Sequence, residues 1–333
     1  MKLLKITEAG LYCPAGHFFI DPWQPVNKAV ITHAHSDHAA WGCETYLVSK
    51  SGEQVLKTRL GDGINTQPVK YGKVLHINGQ NISLHPAGHI LGSAQVRIEH
   101  RGEVWVVSGD YKIEPDPTCA PFEQLTCHTF ITESTFGLPI FRWQPQNEIF
   151  EDINAWWKTN RDRGKTSILF AYALGKAQRV IAGIDASIGP ILTHGAVENI
   201  NQSYRNSGIE LPPTKYVAEI DNKSDFAGAL VVAPPYADSP AWTKKFPETS
   251  KAFASGWMLI RGNRRRRGVD RGFVLSDHSD WNGLVDTIFA SGAENIWVTH
   301  GYATEMVRWL QQQGLEAKAI PTRFTSEIEN GQE

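Results

Sequence analysis

Three histidines and one aspartate lie within six residues in the segment I-T-H-A-H-S-D-H-A. Residues 28–32 (KAVIT) come just before, and this short run with β-branched residues predicts a buried strand that opens into a loop. Because side chains alternate along an extended backbone, His33 and His35 should point to the same side. Asp37 and His38 follow at once and complete a set that suits zinc or a similar divalent ion. Four ligands this crowded do not easily surround one tetrahedral ion, so the segment predicts two ions side by side.

Three further ligand candidates lie at or near the ends of apolar runs. They are His89 in P-A-G-H-I-L-G-S, Asp110 in V-V-S-G-D-Y and His300 in W-V-T-H-G-Y. Taken alone, His89 or His300 is more typical of an ordinary buried or surface histidine, and the first segment could be a histidine-rich surface turn. Their recurrence at strand ends is typical of a metal site at one edge of a sheet, and it favours metal binding.

Composition limits the possible classes of protein only loosely. At 333 residues the chain exceeds the size at which one core usually stops growing, so we expect two domains or one domain with a large insertion. A hydrophobic content of 41% and a charged content of 20% are typical of a globular protein. The net charge of −2 gives no overall attraction to nucleic acid, so binding to a polyanion would need a local basic patch.

The first twenty residues and the cysteines bear on the compartment. Glu8, Gly10 and Pro14 interrupt the start of the chain, so we expect neither a secretory signal nor a membrane span there. The four cysteines form no C-x-x-C pair and predict reduced thiols in a cytoplasmic protein. They are Cys13, Cys43, Cys119 and Cys127.

The predicted elements divide the chain into three segments. Residues 1–145 contain short β-type runs separated by Gly, Pro and Asn. Between residues 146 and 255 helix and strand patterns alternate, which is typical of an open parallel sheet in an inserted domain. The chain then returns to the first domain. Predicted strands are 18–20, 29–32, 74–77, 95–99, 104–108, 129–132, 167–173, 190–193, 229–233, 273–276 and 295–299, and predicted helices are 147–163, 176–184, 281–289 and 303–313.

The ordered motifs resemble the metallo-β-lactamase superfamily and, within it, the β-CASP nucleases. The matching residues are Asp21, the H-A-H-S-D-H segment, His89, Asp110, Glu133 in I-T-E-S-T-F-G, His278 in L-S-D-H-S-D-W and His300 in V-T-H-G. The segments P-A-G-H-I-L-G-S and E-S-T-F-G-L-P-I-F-R-W look most like the bacterial ligase-associated DNA exonuclease branch, which is also described as mRNA 3′-end processing factors.

This resemblance implies a fold and a set of metal ligands. The fold is α/β, with residues 1–145 and 256–333 forming an αββα metallo-β-lactamase sandwich and residues 146–255 an α/β β-CASP cap domain. His33, His35 and His89 would hold one ion, Asp37, His38 and His300 a second, and Asp110 would bridge them. We expect Zn²⁺, with Mn²⁺ as the alternative. Asp21 would orient a ligand imidazole, although an Asp before Pro22 also suits the start of a turn.

The resemblance also implies catalytic roles. Two ions would activate a water for attack on a phosphodiester. Asp37 would act both as a metal ligand and as a catalytic residue. His278 would protonate the leaving group, and Glu133 would hold its imidazole. As isolated residues, His278 and Glu133 would be typical of a loop and a cap. Other histidines have no ligand-like neighbours and are predicted to be structural, namely His17, His76, His85, His100, His128 and His194.

Candidate substrate-binding residues are less well marked. Arginines between residues 261 and 271 could follow a phosphate backbone or could simply form a solvated loop. They are Arg261, Arg264, Arg265, Arg266, Arg267 and Arg271. Lys176, after Gly175 at a predicted strand-to-helix turn, and Arg179 could bind a terminal phosphate.

The leading functional hypothesis is a metal-dependent DNA exonuclease in DNA repair, with a functional association with a DNA ligase. An RNA-processing nuclease of the same fold is the first alternative, because His300 is typical of the RNA-type members. A small-molecule thioesterase or lactamase needs neither the inserted domain nor the basic segment. A non-catalytic nucleic-acid-binding protein would be expected to have lost at least one ligand.

Overall fold

The computed structural model describes residues 2–323 and shows a mixed α/β protein with three sheets, which confirms the predicted α/β class. The described chain forms two compact units. The first unit comprises residues 2–142 and 278–323, and the second comprises residues 143–277. No helix within residues 2–323 is both long enough and apolar enough to cross a membrane.

The first sheet of the first unit has six strands in chain order. β1 and β2 and then β2 and β3 pair antiparallel, whereas the later pairs are parallel. The strands are β1 (Lys5–Thr7), β2 (Gly10–Cys13), β3 (Phe18–Ile20), β4 (Lys28–Val30), β5 (Thr45–Ser49) and β6 (Thr66–Val69). Helix α1 (Glu53–Leu60) connects β5 to β6.

The second sheet of the first unit has seven strands, β7 (Leu75–Ile77), β8 (Gln80–Pro86), β9 (Ala94–His100), β10 (Glu103–Val107), β11 (Thr129–Glu133), β18 (Asn295–Thr299) and β19 (Glu316–Ala319). Their order across the sheet is β19-β18-β11-β10-β9-β8-β7. β10, β11 and β18 are parallel neighbours, so their carboxyl ends meet at one edge. The returning chain therefore adds its strand directly beside β11.

The two sheets of the first unit face one apolar core. Val30 and Leu47 of the first sheet share this core with Val96 and Trp105 of the second, all at most 3% exposed. On the other face of the second sheet, helices α7 (Trp281–Ala290) and α8 (Ala303–Gln312) pack against Phe130, Ile296 and Val298. Burial of apolar area on both faces fixes the sheet that carries the site.

The second unit contains a six-stranded sheet of β12 (Thr166–Phe170), β13 (Ile191–Thr193), β14 (Lys215–Tyr216), β15 (Leu230–Ala233), β16 (Thr249–Ala254) and β17 (Arg271–Phe273). All pairs are parallel, and the order across the sheet is β14-β13-β15-β12-β16-β17. The helices are α2 (Gln146–Asp162), α3 (Lys176–Gly183), α4 (Gly195–Asn206), α5 (Pro240–Thr243) and α6 (Arg261–Arg267). α2 buries Ile153 and Trp157 in the core of this unit.

The end of the second unit differs from the boundary expected at residue 255. Residues 256–277 belong to the compact second unit, because β17 pairs with β16 and because Phe273 and Leu275 lie in its core. The strand expected at 273–276 is accordingly β17, shifted towards the amino terminus. The last ten residues of the expected domain, 324–333, lie outside the described part of the chain.

Candidate metal centre

The ends of several strands in the first unit bring the ligand candidates together. Asp110 follows β10 by three residues, Glu133 ends β11, and His300 follows β18 directly. These three strands are parallel neighbours, so the three side chains start from one edge of the second sheet. His33 lies three residues after the end of β4, which belongs to the facing first sheet. His89 lies in the loop between β8 and β9.

Three imidazole nitrogens converge in the first cluster. His33 Nε2 lies 3.1 Å from His35 Nδ1, and His89 Nε2 lies 3.2 Å from the same atom. Asp110 Oδ2 lies 3.5 Å from His33 Nε2 and 3.9 Å from His89 Nε2. All four residues are buried. Tetrahedral zinc with nitrogen bonds of about 2.0–2.1 Å separates its ligands by about 3.3 Å, so the spacing of the nitrogens fits one shared ion.

A second cluster consists of Asp37, His38 and His300. His38 Nε2 lies 3.5 Å from Asp37 Oδ2 and also 3.5 Å from Asp110 Oδ2. The Asp110 carboxylate therefore lies between the two clusters. His38 Nε2 and His300 Nδ1 are buried without a hydrogen-bond partner among residues 2–323. An unpaired buried nitrogen is costly, and a cation would satisfy both atoms, so these donors fit a metal ion.

Asp21 supports the second cluster from behind. Its Oδ2 lies 2.8 Å from His38 Nδ1, and its two carboxylate oxygens accept from the Thr32 amide at 2.8 Å and the Thr32 hydroxyl at 2.6 Å. This contact directs the other nitrogen of His38 towards Asp110, as outer carboxylates do at metal sites. Gly109 has a positive φ of 57°, and a Cβ there would lie 2.6 Å from Thr32 Cβ. Sequence reasoning missed the role of Thr32, because this residue belongs to an ordinary β-type run.

The cluster perturbs the pKa values of its own members. Burial lowers the pKa of His33 well below its usual value and also lowers that of His300. Burial is the largest single influence on Asp110 and opposes its charged form. The imidazoles of His38, His278 and His33 together outweigh burial and hold the pKa of this carboxyl well below its usual range. Burial likewise opposes a charged His38, but the carboxylates of Asp110 and Asp37 raise its pKa well above the usual value. Neutral His33 and ionised Asp110 are the forms that bind a cation.

Glu133 and His278 form a buried pair beside the first cluster. His278 Nδ1 lies 2.9 Å from Oε2 and 3.0 Å from Oε1 of Glu133. The carboxylate also accepts from the amide of Tyr111 at 2.8 Å. The His278 ring centre lies 4.6 Å from that of His89. Because Glu133 occupies Nδ1, the nitrogen suited to proton transfer is Nε2.

Lys176 and Arg179 lie on α3 in the second unit, and both are 1% exposed. Lys176 Nζ lies 3.1 Å from Asp277 Oδ1 and 4.5 Å from the centre of the Tyr172 ring. Arg179 Nη1 donates to Gln146 Oε1 at 3.1 Å. Both cations therefore have protein partners that the sequence did not indicate, and their contact with a terminal phosphate stays a prediction.

The predicted arginine segment contains helix α6. Arg265 and Arg266 are exposed, whereas the Arg267 guanidinium lies 4.6 Å from the centre of the Phe253 ring. Arg271 lies on β17, 5.9 Å from the Phe273 ring centre. The side chain of Arg264 lies outside the described part of the structure. The exposed arginines offer cations to solvent, and their binding of a phosphate backbone stays a prediction.

The histidines predicted to be structural make ordinary local hydrogen bonds. His128 Nδ1 accepts from the Val104 amide at 3.0 Å, and His194 Nδ1 accepts from the Ala196 amide at the start of α4 at 3.1 Å. The other contacts are His17 with Tyr12, His76 with Asn81, His85 with Glu123 and His100 with Gln80.

The chain is 31% identical over 315 residues to a probable DNA ligase of Opitutus terrae, a match that covers 93% of the chain and 30% of the ligase. The matched region contains both ligand clusters. The chain belongs to the β-CASP group of the metallo-β-lactamase superfamily. This β-CASP protein spans less than a third of the length of the curated relatives that it matches.

Two shorter matches are to proteins with other names. The β-CASP chain is 30% identical over 121 residues to endoribonuclease YSH1 of Saccharomyces cerevisiae, covering 36% of the chain and 15% of that protein. It is 33% identical over 141 residues to transcription termination factor FttA of Pyrococcus abyssi, covering 38% of the chain and 21% of FttA. No family model matches the chain.

A crystal structure of a protein of unknown function from Enterococcus faecalis shares the fold. The TM-score is 0.59 at 11% identity, and the similarity covers 91% of this chain and 79% of that one. At this identity the likeness concerns the fold alone.

Proposed function

We propose that the chain is a metal-dependent phosphodiesterase, specifically a DNA exonuclease in DNA repair, built as an αββα sandwich with an inserted β-CASP domain. The observation that carries this proposal is the pair of ligand clusters on either side of Asp110 Oδ2, which lies 3.5 Å from both His33 Nε2 and His38 Nε2. One carboxylate between two sets of donors suits two ions side by side, as in enzymes that hydrolyse phosphodiesters.

The two clusters would hold two divalent cations, for which Zn²⁺ is our first choice and Mn²⁺ the second. His33, His35 and His89 would hold one, Asp37, His38 and His300 the other, and Asp110 both. When bound, such ions polarise a phosphoryl oxygen and lower the pKa of water. Asp37 has a side chain that is 34% exposed, so its carboxylate can also orient an incoming water.

His278 would supply the proton that the leaving oxygen needs. Glu133 accepts from Nδ1, which fixes the ring and leaves Nε2 as the proton-carrying atom. The carboxylate also stabilises the imidazolium form that donates the proton. A positioned acid of this kind contributes about 10²–10⁴-fold to the rate.

The match to a protein named DNA ligase along 93% of the chain favours DNA as the polymer and a functional association with a DNA ligase. A second candidate is an RNA-processing nuclease. It is favoured by the 30% identity to an endoribonuclease over 36% of the chain.

Digestion of matched, end-labelled oligonucleotides tests the proposal. Single- and double-stranded DNA and RNA, each with and without a 5′-phosphate, are incubated with Zn²⁺, Mn²⁺ or Mg²⁺. We expect stepwise shortening of DNA that a chelator abolishes. Preference for RNA would establish the second candidate instead. Hydrolysis of a glutathione thioester without cleavage of either polymer would contradict both.

A further inference from the structure

We propose that Trp41 and Trp23 form a platform on which bases of a single-stranded nucleic acid stack beside the metal centre. The inference rests on the proposed nuclease function, and it names the residues that position the strand next to the second cluster.

Trp41 is unusually exposed for its size. Its side chain is 72% exposed, the highest value among the large hydrophobic residues of the described chain. Within residues 2–323 it makes no hydrogen bond and no ring contact. Burial of the large apolar face of a tryptophan is favourable in free energy. A nucleobase of any identity can cover such a face by stacking on it.

The loop that carries Trp41 is held rigidly on both sides. The Arg59 guanidinium donates to the carbonyl of Ala39 at 3.2 Å. The Tyr46 hydroxyl donates to the Ala40 carbonyl at 2.8 Å and accepts from the Cys43 amide at 2.9 Å. The backbone before and after Trp41 is therefore fixed, and a fixed aromatic ring loses little freedom when a ligand binds.

The position of Trp41 is close to the metal centre. It follows His38 by three residues, so their Cα atoms are at most about 11 Å apart. Trp23 lines the same cavity as Asp37, His38 and His300.

The segments that carry the two tryptophans lie side by side. The Glu44 amide donates to the Val26 carbonyl at 3.0 Å, and a Cβ on Gly42 would lie 3.3 Å from Pro25 Cγ. The two tryptophans thus lie on adjacent segments, one of which follows His38 directly in the chain.

A cation next to this surface favours a polyanion over an apolar partner. The Arg323 guanidinium donates to the Trp23 carbonyl at 3.0 Å and is exposed to solvent. Aromatic rings for the bases and a guanidinium for the phosphates are the usual components of sites for single strands.

Equilibrium binding of fluorescein-labelled dT12 and U12 in the presence of a chelator tests the platform without cleavage. Trp41→Ala should raise the dissociation constant at least about fivefold, whereas Trp41→Phe, which keeps a ring, should regain most of the affinity. Phe289→Ala removes an exposed aromatic ring from α7 and should bind as the wild type does. Trp41→Ala should retain the metal content and melting temperature of the wild type, because its side chain is exposed.

The outcomes separate this inference from the proposed function. If wild type cleaves one polymer but Trp41→Ala binds both strands as tightly as wild type, the platform is refuted and the nuclease function stands. Equal weakening by Trp41→Ala and Trp41→Phe also refutes stacking. If wild type neither binds nor cleaves DNA or RNA, the proposed function fails and the platform with it.

Discussion

His278 Nδ1 lies 2.9 Å from Glu133 Oε2, although 145 residues separate the two in the sequence. The contact forms because β11 ends at Glu133, while the returning chain places His278 just before α7 in the same compact unit. Both residues are buried, so contacts with protein, not with water, hold the two side chains in place.

The first prediction concerns this pair. His278→Ala should lower kcat for DNA cleavage by about 10²–10⁴-fold, because the proton donor is lost. Glu133→Gln should lower kcat by a smaller factor, since the ring keeps a neighbour but loses the charge that stabilises its protonated form. Single-turnover cleavage checks both variants, with metal content measured in parallel. An unchanged kcat in His278→Ala would exclude the proposed role.

The second prediction concerns the carboxylate between the clusters. Asp110→Asn should reduce bound metal by at least one ion per chain and abolish cleavage, because the amide offers a weaker ligand to both clusters. Metal analysis after dialysis measures the loss. Asp62→Asn, which alters an exposed carboxylate, is the matched control. Two ions retained by Asp110→Asn would contradict the shared position of Asp110.

The third prediction concerns Gly301, which follows the ligand candidate His300. Gly301 has a φ of +59°, and a Cβ there would lie 2.2 Å from the Ser134 carbonyl oxygen. Gly301→Ala should therefore cost about 1–3 kcal/mol more than Gly292→Ala. Gly292 has a φ of +63° but has open space around its Cβ position, so it reports the backbone strain alone. Melting temperatures compare the two, and equal shifts would show that the Ser134 contact relaxes freely.

The fourth prediction concerns acid stability of the second unit. Burial opposes ionisation of Glu198. The hydroxyl donors of Thr193 and Thr214, together with the Arg205 guanidinium, outweigh burial and lower the pKa of this carboxyl. The two threonine hydroxyls lie 2.6 Å and 2.7 Å from Oε2. A lowered pKa in the folded state stabilises the protein above the unfolded value of about 4.3, and this stability is lost as the pH falls through the folded pKa.

Glu198→Gln should thus melt below the wild type at pH 7, and the difference should shrink at acidic pH. Melting temperatures between pH 3 and pH 7 measure this difference. A gap that is constant across this range would show that the ionised carboxylate contributes nothing.

Much of the candidate site follows from local sequence. Asp110, Glu133 and His300 lie at or shortly after the ends of β10, β11 and β18, which are parallel neighbours and therefore end at one edge. The H-A-H-S-D-H segment follows β4 of the facing sheet. The resemblance to β-CASP proteins supplied Glu133 and His278 as candidates, since neither lies in a locally distinctive pattern. Neither local sequence nor the resemblance indicates a role for Thr32. In the sequence it looks like any other β-branched residue of a strand, although its hydroxyl contacts a carboxylate.

Contacts between residues that are far apart in the sequence explain the other differences between the structure and the expectations from sequence. The Gly175-Lys176 pattern gave no sign that Asp277 lies 3.1 Å from the lysine ammonium. Likewise, strand β17 belongs to the second unit because it pairs with β16, and parallel pairing across the intervening α6 leaves no local signature. A boundary at residue 255 therefore falls before β17, the last strand of that sheet in chain order.

A metal titration of the metal-free protein, followed by cleavage of end-labelled single-stranded DNA, is the decisive test of whether the two clusters hold two catalytic ions. Two clusters that share Asp110 predict that cleavage is absent without metal, and that it reaches its maximum when about two equivalents of Zn²⁺ or Mn²⁺ are bound per chain. Full cleavage in the presence of a chelator, or no cleavage of DNA with two ions bound, would show that the proposed two-ion mechanism is wrong.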